Sequence, residues 1–353
     1  MAHVVSTHEG NRAPDRTALV LGATGGIGGA IAARLIREGW EVRALCRDAE
    51  AAISGWRHDC PAPQFITGDA MDQASVMRAA TLGDGVAAII HAVNPPGYRN
   101  WSSLVLPMID NTLAAARAAG GARIVLPGTV YNYDPARTAV IDENSPQNAR
   151  TVKGRIRVAL ERKLLEAAPE VPSLIVRAGD FFGPGTRASW FAQAMVKPGQ
   201  PVRKFTSMAS GIPHAYAYLP DLAATFAGLL AIPERLRPHE AVQFAGHWDA
   251  TGTEMRDAVR RVLGRDMPER AFPWWLMRLA APFGGFPKEA MEIEPVWKHP
   301  MRLDNRRLVE LLGVEPHTPI DQAVAATLTD MGCLARPRGH THLAHARPGR
   351  QEA

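Results

Sequence analysis

Six basic side chains and one acidic side chain lie within residues 149–164, ARTVKGRIRVALERKL. They are Arg150, Lys153, Arg155, Arg157, Arg162 and Lys163, with Glu161 as the acid. Three interpretations fit this charge: a nucleic-acid contact, a solvated helix face, or cations that hold an anionic ligand in an active site. Lys153 and Arg157 are four residues apart, so a helix would place their side chains on one face, one turn apart.

A second stretch with chemical meaning is the glycine-rich sequence GATGGIG, which begins at Gly22. The apolar run before it predicts a strand, and the isoleucines and leucines at helical spacing after it predict a helix, so the glycines form the turn between them. Gly22 would permit the tight turn, Gly25 would let the backbone approach a pyrophosphate, and Gly28 would let the helix pack on the strand. We therefore predict a dinucleotide site. Its predicted contacts in this turn are Gly22, Thr24, Gly25, Gly26, Ile27 and Gly28.

The end of the second predicted strand distinguishes NAD from NADP. An NAD site usually carries Asp or Glu there, about 20 residues after the glycines. This chain has Cys46 and Arg47 instead. Cysteine cannot make the bidentate carboxylate contact to ribose, whereas a guanidinium matches a phosphate group. We predict NADP(H) in preference to NAD(H); the alternative for Arg47 is a surface pair with Asp48.

The third predicted strand ends in TGDAMD and supplies a candidate adenine contact. Asp69 can accept a hydrogen bond from the adenine amino group while Ala70 contacts the ring. The alternative for Asp69 is a helix N-cap, a role that Asp72 could serve equally well.

Composition argues against several classes of protein. Of 353 residues, 46% are hydrophobic and 21% are charged, which is typical of a soluble globular protein. The net charge is +5, but part of the excess falls in RPRGHTHLAHARPGR near the end, so we expect no nucleic-acid partner.

The three cysteines lie far apart and no metal-ligand constellation is present, so we expect no metal. No segment has the pattern of a signal peptide or a membrane span, so we predict a cytoplasmic protein with no membrane partner.

Short apolar strands alternate with helices over the first half of the chain, and this alternation predicts a parallel sheet covered on both faces. The fold class is therefore α/β, a Rossmann-type doubly wound sheet with a smaller C-terminal substrate lobe. The predicted divisions are a flexible N-terminus at 1–15, an NAD(P)-binding Rossmann domain at 16–180 to which 215–233 returns, a substrate lobe at 181–214 and 234–335, and a disordered basic tail at 336–353.

The motifs together resemble one known family. The glycine turn, GD after the third strand, HAVNPP after the fourth and VRAGDFFGPG after the sixth are similar to the extended short-chain dehydrogenase/reductases, the NAD-dependent epimerase/dehydratase family with its atypical NADP-binding relatives. The resemblance runs from about Thr17 to about Pro233, and more loosely through LDNRRLVELLGVEPHTPIDQAV. It implies cofactor contacts from Ala92, Val93 and Asn94, a small-molecule substrate, and a homodimer formed through the helices that flank the sheet.

The active-site positions depart from the family pattern. In the family, a Ser or Thr after the fifth strand works with the Tyr and Lys of Y-x-x-x-K, and the tyrosine exchanges the alcohol proton while hydride moves. Here LPGTVYN puts Pro127 in the place of the serine, with Thr129 as the nearby hydroxyl and Tyr131 as the family's aromatic residue. KGRIRVALE puts Lys153 in the place of the tyrosine and Arg157 in the place of the lysine. These four residues, Thr129, Tyr131, Lys153 and Arg157, are the candidate catalytic residues.

Arg157 and Lys153 differ in the chemical roles that they could take. Arg157 is permanently charged and can still donate hydrogen bonds to the nicotinamide ribose. Lys153 has three alternative roles: a general acid or base, a cation that binds a substrate carboxylate or phosphate, or a solvent-facing side chain.

Aromatic and histidine side chains in the loops are candidate substrate contacts. Tyr98 and Trp101 follow the fourth strand, Trp190 lies in TRASW, and His214 lies in GIPHAYAYLPD, where the family often contacts substrate. The alternative for the aromatic residues is packing, and for His214 it is a buried structural histidine.

These features favour an NADP(H)-binding oxidoreductase or epimerase that acts on a small carbonyl, alcohol or nucleotide-sugar-like substrate. The alternative is a catalytically impaired NAD(P)-binding sensor or scaffold, because the family's tyrosine is absent. Nucleic-acid binding through the basic helix is the weakest interpretation, since no aromatic platform accompanies the charges.

Overall fold

A computed structural model describes residues 16–95 and 100–334. In chain order the strands are β1 (Thr17–Leu21), β2 (Glu41–Cys46), β3 (Gln64–Thr67), β4 (Ala88–His91), β5 (Arg123–Thr129), β6 (Val140–Ile141), β7 (Ser173–Ala178), β8 (Asp180–Phe182), β9 (Phe205–Ser207), β10 (His214–Tyr218), β11 (His239–Gln243), β12 (His247–Asp249), β13 (Glu269–Ala271) and β14 (Arg302–Leu303). The α-helices are α1 (Gly26–Arg37), α2 (Ala49–Gly55), α3 (Gln73–Thr81), α4 (Trp101–Ala118), α5 (Val152–Ala167), α6 (Leu219–Leu230), α7 (Glu254–Leu263), α8 (Trp274–Ala280), α9 (Gly285–Met291), α10 (Glu294–Lys298), α11 (Arg306–Leu312) and α12 (Ile320–Asp330).

The main sheet has seven parallel strands in the spatial order β11-β7-β5-β4-β1-β2-β3. From β1 the chain runs outward through β2 to β3 and then returns to β4 on the other side of β1. The strand order reverses at this point, and ligands of such sheets bind at the carboxyl ends of the strands beside it.

Helices cover both faces of the main sheet, as the alternation of buried residues in β1 requires. Ala18 and Val20 point to the face that carries α1 and α6, whereas Leu19 and Leu21 point to the face that carries α3, α4 and α5. All four side chains are fully buried. This arrangement confirms the predicted α/β class with a doubly wound Rossmann-type sheet.

A second core lies above the main sheet and belongs to the smaller lobe. It is built around a three-stranded sheet of order β12-β10-β8, together with α7, α12 and the π-helix Phe191–Met195. Phe182, Phe191 and Trp297 are among the largest fully buried side chains of this core.

The chain crosses between the two cores at places that differ from the sequence-based division. The range 234–335 was assigned to the lobe, but β11 pairs in parallel with β7 and forms the edge strand of the main sheet. Leu308 and Leu311 of α11 pack in the main core as well. Strand β11 is five residues long and contains buried Glu240, so no apolar run marked it in the sequence. Within 215–233, α6 packs on α1, whereas β10 lies in the three-stranded sheet.

Two further observations concern the described part of the chain. No helix in it is both long enough and apolar enough to cross a membrane. No group of three or more His, Cys, Asp or Glu side chains in it is placed to hold a metal ion. The predicted N-terminus 1–15 and the tail 336–353 lie outside the described residues.

Candidate active site

A cavity of about 970 Å³, called here the main cavity, lies at the carboxyl ends of the main-sheet strands. This volume is at the upper end of the range of about 300–1,000 Å³ found for small-molecule sites. Its walls include Gly22 after β1, Cys46 at the end of β2, His91 at the end of β4, Thr129 at the end of β5 and Ala178 at the end of β7.

The glycine turn forms the floor of one half of the main cavity. Gly22 has φ +95°, a left-handed conformation that favours glycine. A Cβ on Gly28 would lie 2.2 Å from the carbonyl oxygen of Gly22, so only glycine lets α1 pack this closely against the turn. The N-cap of α1 is Gly25, and no side chain caps the helix there. The first backbone amides of α1 therefore face the cavity and can donate hydrogen bonds to an anion, such as the pyrophosphate of a dinucleotide.

One half of the main cavity, where the sequence predicts adenosine, is lined by residues that follow β2 and β3. Arg47 is exposed at this edge, while the carboxylate of its neighbour Asp48 accepts a hydrogen bond from the Ala51 amide and caps α2. Asp69 and Ala70 also line the cavity. The sequence left open whether Asp69 or Asp72 caps the helix that follows β3.

Asp72 caps α3 by accepting hydrogen bonds from the Ala74 and Ser75 amides, whereas the carboxylate of Asp69 accepts one from Met71 and stays at the cavity wall. Asp69 therefore lies at the cavity wall, and its contact with an adenine ring stays a prediction.

Residues after β4 meet helix α5 at the other half of the cavity. Ala92, Val93 and Asn94 line this half, and Arg157 Nη2 donates a hydrogen bond to Asn94 Oδ1 at 3.3 Å. The guanidinium of Arg157 lies 4.9 Å from the centre of the Trp101 ring, in a cation–π contact. The structure thus brings together a predicted cofactor residue, a predicted catalytic residue and a predicted substrate residue.

His91 lies behind Arg157 and forms part of the cavity wall. Its Nδ1 is 2.8 Å from Thr112 Oγ1, and the side chain is buried. Burial, and the nearby charge of Arg157, lower the pKa of His91 to about 3. The imidazole is therefore neutral at physiological pH and cannot serve as a proton donor of ordinary strength.

Thr129 and Tyr131 line the cavity at the end of β5. Thr129 Oγ1 accepts a hydrogen bond from the Tyr131 amide at 2.9 Å, a local turn contact. Pro127, in the place of the family's serine, is buried within β5 and also lines the cavity. Pro127 therefore makes the cavity wall apolar at the position where the sequence predicts the family's serine.

Of the three alternatives for Lys153, the structure contradicts the solvent-facing side chain. Its side chain is 3% exposed, so it does not face solvent. Its ammonium forms ion pairs with Glu289 and, at 3.6 Å, with Glu292, both in the lobe. The backbone amide of Lys153 also donates to Glu292 Oε2 at 2.9 Å. The side chain links α5 of the Rossmann domain to the segment 285–292, and Lys153 is not among the residues that line the main cavity.

We expect the Lys153→Met variant to loosen this link without removing the cofactor site. The substitution leaves two partly buried carboxylates without their cation, at a cost of about 1–3 kcal/mol in the free energy of unfolding. Hydrogen–deuterium exchange should increase in residues 285–292, and urea unfolding should shift to lower concentration.

The matched control is Lys163→Met on the same helix. Lys163 pairs with Asp110 at 2.8 Å, but both side chains are at least 36% exposed. An exposed pair contributes only about 0.2–1 kcal/mol. Equal changes in the two variants would contradict the proposed link.

The outer part of the cavity is aromatic on three sides. Trp101 and Trp190 are buried in its walls, and the ring of Phe286 from α9 lies 5.8 Å from that of Trp190. Arg187 supplies an exposed cation at the same end. Tyr98 lies outside the described residues, and His214 lines a separate small cavity with Asp180.

Asp180 and Phe286 are two of the cavity residues that were not identified from the sequence. Asp180 lies two residues after the end of β7, which is the sixth strand predicted from the sequence. Because ligands bind at the carboxyl ends of such strands, this position could have identified Asp180 as a site residue. Phe286 lies in a segment rich in Pro, Gly and aromatic residues, where no periodicity indicated which ring would face the site.

The glycine turn lies where the strand order of the Rossmann sheet reverses, and the smaller lobe lies beside the same cavity. This arrangement is typical of enzymes that use a dinucleotide cofactor. The model of the NAD dependent epimerase/dehydratase family matches residues 18–242, well over half of the chain. The chain belongs to this family, which binds a nicotinamide cofactor, and the resemblance seen in the motifs is confirmed.

One relative of this chain is named as a reductase and not as an epimerase. A 3-diazoavenalumate denitrifying reductase from a Streptomyces species is 28% identical over 181 residues, which cover 48% of this chain and 57% of the relative. The matched part thus spans little more than half of that protein.

Solved structures share the fold over almost the whole chain. A UDP-galactose 4-epimerase is 19% identical, with a TM-score of 0.63 over 89% of this chain and 98% of its own. A putative epimerase from Burkholderia cenocepacia is 17% identical, with a TM-score of 0.68 over 91% and 99%. A UDP-glucose 4-epimerase from Brucella ovis in complex with NAD is 17% identical, with a TM-score of 0.67 over 90% and 98%. At these identities the similarity shows the fold alone.

Proposed function

We propose that this protein is an NADP(H)-dependent oxidoreductase that transfers hydride to or from a small carbonyl or alcohol substrate. The observation that carries the proposal is the main cavity itself. Its inner half is a glycine turn with the uncapped start of α1, and its outer half is lined by Trp101, Trp190 and Phe286. The two halves are continuous, so a dinucleotide and a second small molecule can share one cavity.

The residues present fit the cofactor. The turn from Gly22 to Gly28 would hold the pyrophosphate, Asp69 the adenine, and Asn94 with Arg157 the nicotinamide ribose. When bound, the nicotinamide supplies or accepts the hydride. The residues of this chain bind and orient the two ligands, and the aromatic walls exclude water from the reacting atoms.

The chemistry of the outer half favours a flat, partly apolar substrate with an anionic group. Indole and phenyl rings offer stacking surfaces, and Arg187 offers a charge-assisted hydrogen bond to a carboxylate or phosphate. The name of the Streptomyces relative, a reductase, supports reduction as the direction. Nucleotide-sugar epimerisation, as in the names of the structural relatives, is the second candidate within the same fold.

Titration and turnover test the proposal together. NADPH and NADH are titrated by fluorescence, and NADPH oxidation is followed at 340 nm with aromatic and aliphatic aldehydes and ketones, each with and without a carboxylate. UDP-glucose tests the epimerase alternative. We expect micromolar NADPH binding and oxidation with at least one carboxylated aromatic aldehyde. Tight binding with no turnover would favour a sensor, and failure to bind either dinucleotide would exclude both interpretations.

We expect the Arg47→Ala variant to lose affinity for NADPH selectively. The guanidinium would bond the 2′-phosphate, and charge-assisted bonds of about 1.5–3 kcal/mol correspond to a loss of about 10-fold to 100-fold. NADH affinity should change little because that cofactor lacks the phosphate. The control is Arg47→Lys, which keeps the charge but not the bidentate geometry and should lose less. Equal losses for the two cofactors would refute the phosphate role.

We also propose that the protein is a homodimer, which rests on the family resemblance. Light scattering coupled to size exclusion should give twice the mass of the chain. The monomer mass at micromolar concentration would contradict the assembly.

A further inference from the structure

Large apolar side chains are exposed together on the smaller lobe, in helices α8 and α9 and the turn between them. They are called here the apolar patch, which consists of Trp275, Leu276, Leu279, Phe283 and Phe286. Among the described residues, every Trp or Phe side chain that is exposed belongs to this patch. Apolar side chains that are exposed as a group, and not singly, mark a contact site.

Helix α8 is anchored on one side and exposed on the other. Trp274 is buried, and its Nε1 donates a hydrogen bond to the carbonyl oxygen of Met208 at 3.2 Å. Trp275 and Leu279 are four residues apart, so they lie one turn apart on one helix face, and both side chains are about two-thirds exposed. Packing of the lobe core therefore accounts for Trp274 but not for its two neighbours on the outer face.

The turn between α8 and α9 carries the most exposed ring of the patch. Phe283 is 90% exposed and precedes Gly284 and Gly285, both of which have positive φ. Helices α8 and α9 pack against each other, so the turn lies at one end of the helix pair. A ring with so little contact to its own chain can enter a fluid apolar layer, where no groove of matching shape is needed.

The charged side chains around the apolar patch indicate the sign of its partner. Within residues 274–298, the charged side chains that are exposed are all cations, namely Arg278, Lys288 and Lys298. The three acids of this segment are each less than a quarter exposed and paired with a cation: Glu289 and Glu292 with Lys153, and Glu294 with Arg278 and Lys298. The surface around the patch therefore attracts an anionic partner.

The same charges disfavour two other covers for the apolar patch. A two-fold contact between copies of the chain would set the patch against itself, and the three cations against the same three cations. Residues 335–353 carry four arginines and one acid, so the end of the chain has the same sign as the surface around the patch. Like charges that face each other across a contact oppose it.

We propose that the apolar patch docks on the surface of an anionic lipid membrane. Trp, Phe and Leu side chains enter the boundary between headgroups and acyl chains, while Lys and Arg contact the lipid phosphates. Helices α8 and α9 are each seven residues long, far short of the roughly 20 residues of a spanning helix, so the contact is with the surface. The expectation of no membrane partner concerned spanning segments and leader peptides, which a surface contact does not need.

The apolar patch is continuous with the main cavity through Phe286. This ring is part of the patch and also lines the cavity, 5.8 Å from the ring of Trp190. Docking through the patch would bring the outer end of the cavity to the lipid surface. The contact itself needs neither cofactor nor substrate, so it does not depend on the proposed function.

Vesicle sedimentation with the whole protein tests the docking. Wild type is mixed with vesicles of phosphatidylcholine alone, or of equal parts phosphatidylcholine and phosphatidylglycerol. We expect binding to the anionic vesicles that weakens as salt is added. In Leu279→Ser/Phe283→Ser it should fall by at least about 10-fold, because burial of each of these side chains contributes about a 10-fold gain or more. The matched control is Ile53→Ser/Val314→Ser, which removes two exposed apolar side chains outside the patch and should bind as wild type.

A charge variant tests the electrostatic part of the contact. One basic side chain at an anionic surface strengthens binding by about 5-fold, so Lys288→Glu should weaken binding to the anionic vesicles by at least this factor. The matched control is Arg57→Glu, which reverses an exposed cation after α2 and should bind as wild type. Equal losses in the two charge variants would overturn the docking at the patch, since only the net charge would then matter.

Fluorescence locates the contact on the protein. Brominated lipids quench tryptophans that reach the acyl chains, and Trp275 is the exposed tryptophan of the patch. Trp275→Phe should still sediment with anionic vesicles but lose most of the quenching seen in wild type. Quenching as strong as in wild type would mean that another surface meets the lipid, and would overturn the proposal.

Two further results would overturn the membrane as the partner. One is the absence of binding to anionic vesicles at low salt, which would leave an acidic protein as the partner for the patch. The other is a change in mass without lipid: if wild type were a dimer by light scattering and Leu279→Ser/Phe283→Ser a monomer, the patch would be an interface between two copies of the chain.

Discussion

The Gly28→Ala variant is expected to bind NADPH at least about 10-fold more weakly than wild type. The added Cβ would lie 2.2 Å from the carbonyl oxygen of Gly22 and 3.1 Å from Cβ of Ala92. The first of these atoms is backbone, so the strain can be relieved only if the turn or α1 moves. Overpacking of this kind costs about 1–3 kcal/mol, and it would displace the amides that face the pyrophosphate. Fluorescence titration with NADPH measures the loss.

Gly55→Ala is the matched control for this prediction. Gly55 ends helix α2, and no atom lies within 4 Å of the position its Cβ would occupy. This variant should retain both wild-type affinity and wild-type stability. If Gly28→Ala also kept wild-type affinity, the close approach of α1 to the turn would not be needed for the cofactor.

The Arg177→Met variant is expected to lose about 3–5 kcal/mol of unfolding free energy, the cost of leaving a buried charge unpaired. Arg177 Nη2 donates to Glu161 Oε2 at 2.6 Å, and the two side chains are only 6% and 4% exposed. Gln147 also donates to Glu161, at 2.6 Å. Burial acts to lower the pKa of Arg177, but the adjacent Glu161 outweighs it and the pKa is raised. The pair ties α5 to β7 beneath the active site.

Urea unfolding of two further variants tests this cost. Arg162→Met removes an exposed pair with Glu166, in which the side chains are 70% and 67% exposed, and should cost less than about 1 kcal/mol. The double variant Glu161→Leu/Arg177→Met removes both charges and should recover much of the lost stability. A loss in Arg177→Met no larger than that in Arg162→Met would show that the buried pair contributes little.

The features that the sequence predicted well depend on local patterns. The glycine turn, and each strand or helix of the alternating pattern, are contained in a few consecutive residues. Such patterns carry the backbone geometry directly, because glycine conformations and helical periodicity are local properties. The family model and the parallel sheet confirm the fold class and the family on this basis.

The features that the sequence did not reveal depend on residues far apart in the chain. Lys153 meets Glu289 across 136 positions, and His214 meets Asp180 across 34. No local pattern marks which carboxylate will neutralise which cation, because the pairing depends on how the lobe folds back over the sheet. The same limit applies to β11, whose membership in the main sheet follows from pairing with β7 and not from its own composition.

The ion pairs of Lys153 also bear on how this active site can change over generations. Restoring the family's tyrosine at position 153 would leave Glu289 and Glu292 against a neutral phenol, partly buried and without their cation. A single Lys153→Tyr substitution would therefore give a less stable protein, and we expect a neutral side chain at this position only together with substitutions at Glu289 and Glu292.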